Sequence, residues 1–386
     1  MTPLAVHHVR ERLAQAGDGH LNQVVALLDR MEHRGAADAL LEPLRPRLAQ
    51  LAPLRPLTLP RLLFQPLDPV IEPAARWRPG GAAVPRNALA PLAAAVFEAI
   101  GPCAAQVRDA ITGRDWSDGA AVAAAGAVLW PAAARALPAL EMPPGWAAAG
   151  LAPGAFGEVR AGVAAVLRHG IALHRWQSGP GQPGVAASIL ADTQARTPGA
   201  LPVVLAVLLA NAAAAPGVLA AAAALPGSTP DAAMEQVLAQ TEHGLAALPA
   251  TPLAGACVQA MQAATLLDAV DGPGAQPRFR ALAQAARQAA DIACRARVLQ
   301  ALDQQVLPAL AAPVLDDDAA TALEAAARDI RKLSTAGQRL GSAPAYAALL
   351  NRTAAGVLAT PGPASRMDRL RLAELLVGAE AALQMA

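Results

Sequence analysis

The sequence predicts an all-α fold: an irregular multi-helix stack in two lobes, with an N-terminal helical hairpin and a proline-rich extended strap. Three observations predict it. Apolar residues recur at helical spacing along the chain. Runs of alternating Val, Ile, Thr and aromatic residues bounded by turns are missing, so no convincing strand is found. Hydrophobic residues make up 54% of the chain but aromatics only 3%, so the core must be mostly Ala, Leu and Val. Such side chains bury little area each, and the fold therefore needs many helices.

The chain of 386 residues is too long for one ordinary core. Residues 1–52 read as a small helical unit. Leu21, Val24, Val25, Leu28 and Met31 form one apolar stripe closed by Gly35. A second stripe, Leu40 to Leu51, is interrupted by Pro43 and Pro46, and is expected to restart with Pro43 in a first helical turn.

Residues 53–85 form the strap. Its eight prolines argue against a continuous helix and favour an extended path. Leu62, Leu63, Phe64, Leu67, Val70, Ile71 and Trp77 are too apolar for a solvated linker, so the strap is expected to lie over helices.

Residues 86–177 are expected to form an aromatic-containing helical lobe, since every tryptophan falls within 64–176 and large rings give well-defined packing. Residues 185–386 are expected to form an alanine-rich bundle. Thr197-Pro198, Thr229-Pro230 and Thr251-Pro252 each suggest a capping hydroxyl ahead of a first-turn proline. Ser365 and Asp368 suggest a capping box before a final helix over about 366–385.

Much chemistry is disfavoured. The only lysine, Lys332, has no glycines before it, which argues against a P-loop and a kinase fold. "GPGQPG" at 179–184 matches a dinucleotide fingerprint literally, but Pro180 and Pro183 remove amide donors and a helix precedes it, so an interhelical loop is expected. There is no His-Glu-x-x-His and no Gly-x-Ser-x-Gly elbow. His169 and His174 lie five apart, off one helical face, and with Glu158 make only a weak metal set. Cys103, Cys257 and Cys294 form no disulfide framework, which fits a reducing compartment. No cofactor and no metal is expected.

The net charge of +1 gives no global attraction to nucleic acid or anionic membrane. Thirty of the basic residues are arginines, a bias that points to GC-rich coding. On the long helix of about 278–307, Arg280, Arg287, Asp291 and Arg295 are expected to form a solvated ladder opposite Phe279, Leu282, Ala286 and Leu299. Cys257 and Met261, one turn apart, are expected to line a core. The uncharged run around 201–225 raises a membrane question. Asn211, Pro216 and the near-neutral alanines favour a buried helical pair over an integral segment.

The favoured reading is a non-catalytic cytoplasmic helical scaffold or interaction protein whose partner is another protein. The alternative is an enzyme or small-ligand-binding protein with its pocket in the 64–176 lobe. The candidate ligand or partner-binding residues are Arg76, Trp77, Arg78, Trp116 and His169. An indole flanked by guanidinium groups can hold an anionic or planar ligand.

Overall fold

The computed structural model describes residues 12–13, 16–29, 56–179, 181–225, 231–271, 277–311, 316–341, 343–359 and 365–385. It is an all-α multi-helix fold. The described residues up to Val237 form one compact unit and those from Leu238 onward form another.

In the first unit, α1 spans Asp18–Asp29 and buries Leu21 and Val25, two members of the predicted stripe. Met31, Gly35 and the leucines of 40–51 lie outside the described residues. The strap is not extended throughout: α2 spans Leu59–Phe64 and a 3-10 turn spans Gln65–Val70. Pro60 and Pro66 occupy first-turn positions, where the missing N–H is not needed. Prolines therefore permit two short helices while forbidding one long one. The strap also holds a two-residue parallel ladder, β1 (Ile71–Glu72) with β2 (Val84–Pro85), which the sequence did not disclose. Two residues per strand carry no periodicity to read.

Helices α3 (Leu89–Ala99), α4 (Gly101–Ile111), α5 (Gly119–Ala136), α6 (Gly145–Ala148), α7 (Ala155–Arg168), α8 (Gly170–Ser178), α9 (Pro183–Arg196), α10 (Leu201–Leu209) and α11 (Ala215–Ala223) follow. α5 is central, packing on α2, α4, α7 and α8. Its Trp130 is fully buried, and the indole donates to the Leu62 carbonyl at 2.7 Å, fastening the strap to the lobe. The ring fits because Gly126 and Gly170 have no Cβ; one at either position would collide with it. Trp146 and Trp176 are buried too. Their indoles donate to Ala152 O and Leu208 O, and Trp146 meets Phe156 edge-on at 5.1 Å.

α10 is buried nearly all round, and α10 and α11 bend at 107° at the break between them. Asn211, at the break, donates to Trp176 O and Gly179 O. By length and apolarity α5 with its following turn (Gly119–Ala139) could cross a membrane, as could residues Leu253–Val270, and the bent pairs Arg86–Ala99 with Gly101–Ile111 and Pro198–Leu209 with Ala212–Ala223 meet the criterion jointly.

α12 (Asp231–Ala246) carries the division between the units. In the second unit, α13 (Leu253–Val270), α14 (Pro277–Ala301) and α16 (Asp317–Leu340) pack mutually. Between α14 and α16 the chain makes a π turn, Leu302–Val306, and α15 (Leu307–Ala311). α17 (Ala343–Ala359), α18 (Arg366–Val377) and α19 (Ala379–Met385) complete the unit. The Ser365–Asp368 capping box is present. The expected single final helix is broken at Gly378, whose φ of 98° favours glycine.

The Thr-Pro starts resolve differently. Thr197 and Thr251 make no side-chain cap. The Thr251 hydroxyl donates backward to Ala247 O. Thr229-Pro230 lies outside the described residues. Asp316 is a true cap, accepting from the Ala319 amide, with Asp317 and Asp318 in the first turn of α16.

Candidate functional site

The strap residues singled out by the sequence form a self-bonded turn. The Arg76 Nε lies 2.8 Å from Glu72 Oε2. Glu72 is buried and accepts at its other oxygen from Gln236. The half-buried Trp77 indole donates to Ala83 O at 3.0 Å. Arg78 Nη1 donates to the carbonyls of Ala75 and Trp77. Gly80 N donates to Glu158 at 2.7 Å, so this carboxylate closes the turn rather than facing a histidine. Trp116 is half-buried in the turn before α5, and among the described residues its ring does not stack on Trp77.

His169 caps the end of α7. Its Nε2 lies 3.2 Å from Asp192 Oδ2, and Arg196 Nε donates to Oδ1 of the same carboxylate at 2.6 Å. Burial lowers the pKa of His169 and Asp192 opposes that effect, but burial prevails. His174 stands apart from this group. Its Nδ1 is 3.0 Å from Gln65 Oε1, and Gln177 bridges Gln65 to the Pro66 carbonyl. These bonds latch the strap to α8. Among the described residues no three His, Cys, Asp or Glu side chains form a metal-binding group.

The second unit offers a different kind of surface. α14 was expected to expose a charged ladder opposite Phe279, Leu282, Ala286 and Leu299. Arg280 is exposed and Phe279 and Ala286 are buried as expected, but Asp291 and Arg287 turn inward while Leu282 and Leu299 face out. Asp291 is buried with 8% exposure, and Arg287 reaches inward to Asp268 and Asp271 at 2.8 Å each. Arg339 also pairs with Asp268, at 2.7 Å. Asp291 takes Arg295 as its partner, and its backbone carbonyl accepts from the buried Tyr346 hydroxyl. Arg297 is buried too, its Nε donating to Thr251 O.

The inner face of α14 is Phe279, Ala283, Ala286, Ala290, Cys294, Val298 and Ala301. The outer face carries Leu282 at 46% exposure, Ile292 at 66% and Leu299 at 47%, with exposed Ala285, Ala289 and Ala296 between them. The intervals are 3, 4, 3, 4 and 3 residues, which is the seam of a coiled coil. Val258 and Met261 are exposed on α13, so Met261 does not line the core with the buried Cys257. The seam was present in the sequence but masked by alanine, which fills both faces and leaves their phase ambiguous.

A cleft of about 500 Å³ lies among α17, α18 and α19, lined by Leu358, Leu370, Met385, Arg366 and Arg369. No family model, curated protein or solved structure matches this chain.

Proposed function

We propose that this chain is a non-catalytic helical scaffold of the cytoplasm that docks another protein through the outer face of α14. The observation that carries the reading is the exposed Leu282–Ala285–Ala289–Ile292–Ala296–Leu299 seam. Apolar side chains at this spacing gain little from water and much from a facing helix. Alanine at half of the positions lets a partner backbone approach closely. The free, buried thiols of Cys257 and Cys294 fit a reducing compartment. The core position of α10 supports reading 201–225 as interior rather than membrane-bound.

A second reading, a small-ligand protein, is favoured by the cleft among α17, α18 and α19, where apolar walls and two guanidinium groups suit an anionic amphiphile. In the 64–176 lobe, by contrast, Arg76 Nε, the Trp77 indole and Arg78 Nη1 each donate within their own turn.

The docking reading is tested with a photo-crosslinking residue at Ala289 or Ala296 in the native cell, and at Ala120 of α5 as control. Polypeptide adducts from both α14 positions and not from the control are expected. Adducts no more abundant than the control's would end the reading.

A further inference from the structure

We propose that the occupant of this seam is a second copy of the same chain, bound antiparallel about a two-fold axis at the level of the Ala290–Asp291 peptide. The inference rests on the docking reading and names its partner. A two-fold interface must be self-complementary: if residue i faces j, then j faces i. The α14 seam meets this condition along its length.

Extended by one position at each end, the seam runs Arg278, Leu282, Ala285, Ala289, Ile292, Ala296, Leu299, Asp303, and all eight residues are exposed. The intervals 4, 3, 4, 3, 4, 3, 4 read the same in both directions. Reversing one copy sets Leu282 against Leu299, Ala285 against Ala296, and Ala289 against Ile292. Small faces large at the centre, and leucine meets leucine on either side. At each end Arg278 faces Asp303 of the other copy. A parallel pairing in register would instead set Arg278 on Arg278 and Asp303 on Asp303, repelling at both ends. Charge complementarity between the two ends of the seam therefore supports a second copy as partner and sets its direction as antiparallel.

Arg278 lies over the Phe279 ring at 4.6 Å, at the N-terminal end of α14, while Asp303 is the second residue of the π turn that follows it. The seam between them is about 37 Å long at 1.5 Å per residue. One helix pair of that length is at the small end of specific interfaces, so a reversible equilibrium in the micromolar range is expected.

Sedimentation equilibrium on the full chain, from sub-micromolar to hundreds of micromolar, tests the proposal. The mean mass is expected to rise from one chain to two. Ile292→Asp is expected to move the midpoint to at least tenfold higher concentration. Arg278→Asp and Asp303→Arg should each weaken association, and the two together should restore it, with unchanged helical circular dichroism in the dilute monomer. The charge exchange keeps the test sharp if Ile292→Asp fails to fold, because its restored form must fold to dimerise. A wild-type chain that stays monomeric throughout, a dimer indifferent to a folded Ile292→Asp, or a double exchange that does not restore association would overturn the proposal. If the chain stays monomeric while crosslinks at Ala289 capture a different polypeptide, the self-partner fails and the docking reading survives.

Discussion

Arg287 Nη2 lies 2.8 Å from Asp268 Oδ1, joining the side of α14 to α13. The same guanidinium reaches Asp271 and the Arg339 carbonyl, and Arg339 returns to Asp268 and Thr265. This clamp fixes how α14 is rotated. With Arg287 turned inward, Leu282 and Ile292 are turned out.

The clamp makes the second unit acid-sensitive. Burial alone would raise the Asp268 pKa, but hydrogen bonds from Arg287 and Arg339 overcome it and hold the group below its ordinary value of 3.8. Its contribution is fully present above the unfolded pKa and is lost as pH falls through the lower folded value. Asp268→Asn is expected to cost about 1 kcal/mol at pH 7, a modest figure because the carboxylate is partly exposed and screened. Urea unfolding of both proteins should show the difference shrinking as pH drops below that range.

Gly337 of α16 allows Tyr346 its place. A Cβ there would fall inside the phenol ring, which is fully buried and bonded to Asp291 O. Gly337→Ala is expected to destabilise by about 1–3 kcal/mol through overpacking. Gly244 of α12 is the control, since a Cβ there meets nothing, and Gly244→Ala should stabilise by up to about 1 kcal/mol. Thermal unfolding by circular dichroism distinguishes the two.

Trp130 ties the strap to α5. Trp130→Phe removes the indole hydrogen bond to Leu62 O, which keeps the Gln65 amide, and leaves a void. A loss of about 2–4 kcal/mol is expected from the two effects together. Limited proteolysis should then open the chain within 56–70 before it opens α13 or α16.

The thiols should separate by reactivity. Burial is the main cause raising Cys257 to about 11 and Cys294 to about 12, so neither forms thiolate near neutrality. Cys103 is only half-buried. Brief iodoacetamide treatment at pH 7.5 followed by mass spectrometry is expected to modify Cys103 alone, with the other two reacting after unfolding.

What the sequence disclosed, and what it hid, follows from the range of the interactions. Local devices were legible. The Ser365–Asp368 box and the concentration of tryptophan in one unit rest on neighbours a few residues apart or on side-chain size. The setting of α14 was hidden because its partner Asp268 is 19 residues away and on another helix. An arginine–aspartate ladder at i, i+4 reads as solvated unless the distant carboxylate is known. Of the candidate residues, Arg76, Trp77 and Arg78 fall together in one turn, while His169 pairs with Asp192 and Trp116 sits in the turn before α5. The helical segments at 59–70 were obscured by proline, whose effect depends on position within the turn and not on number.

The rotation of α14 is the claim on which the seam, its partner and the clamp all depend, and paired aspartates test it most directly. Ile292 points outward and Ala290 is fully enclosed. Circular dichroism melts of dilute Ile292→Asp and Ala290→Asp are expected to show native helicity and cooperative unfolding in the first and collapse of both in the second. The opposite ranking, with the chain tolerating a charge at 290 and failing with one at 292, would contradict the account.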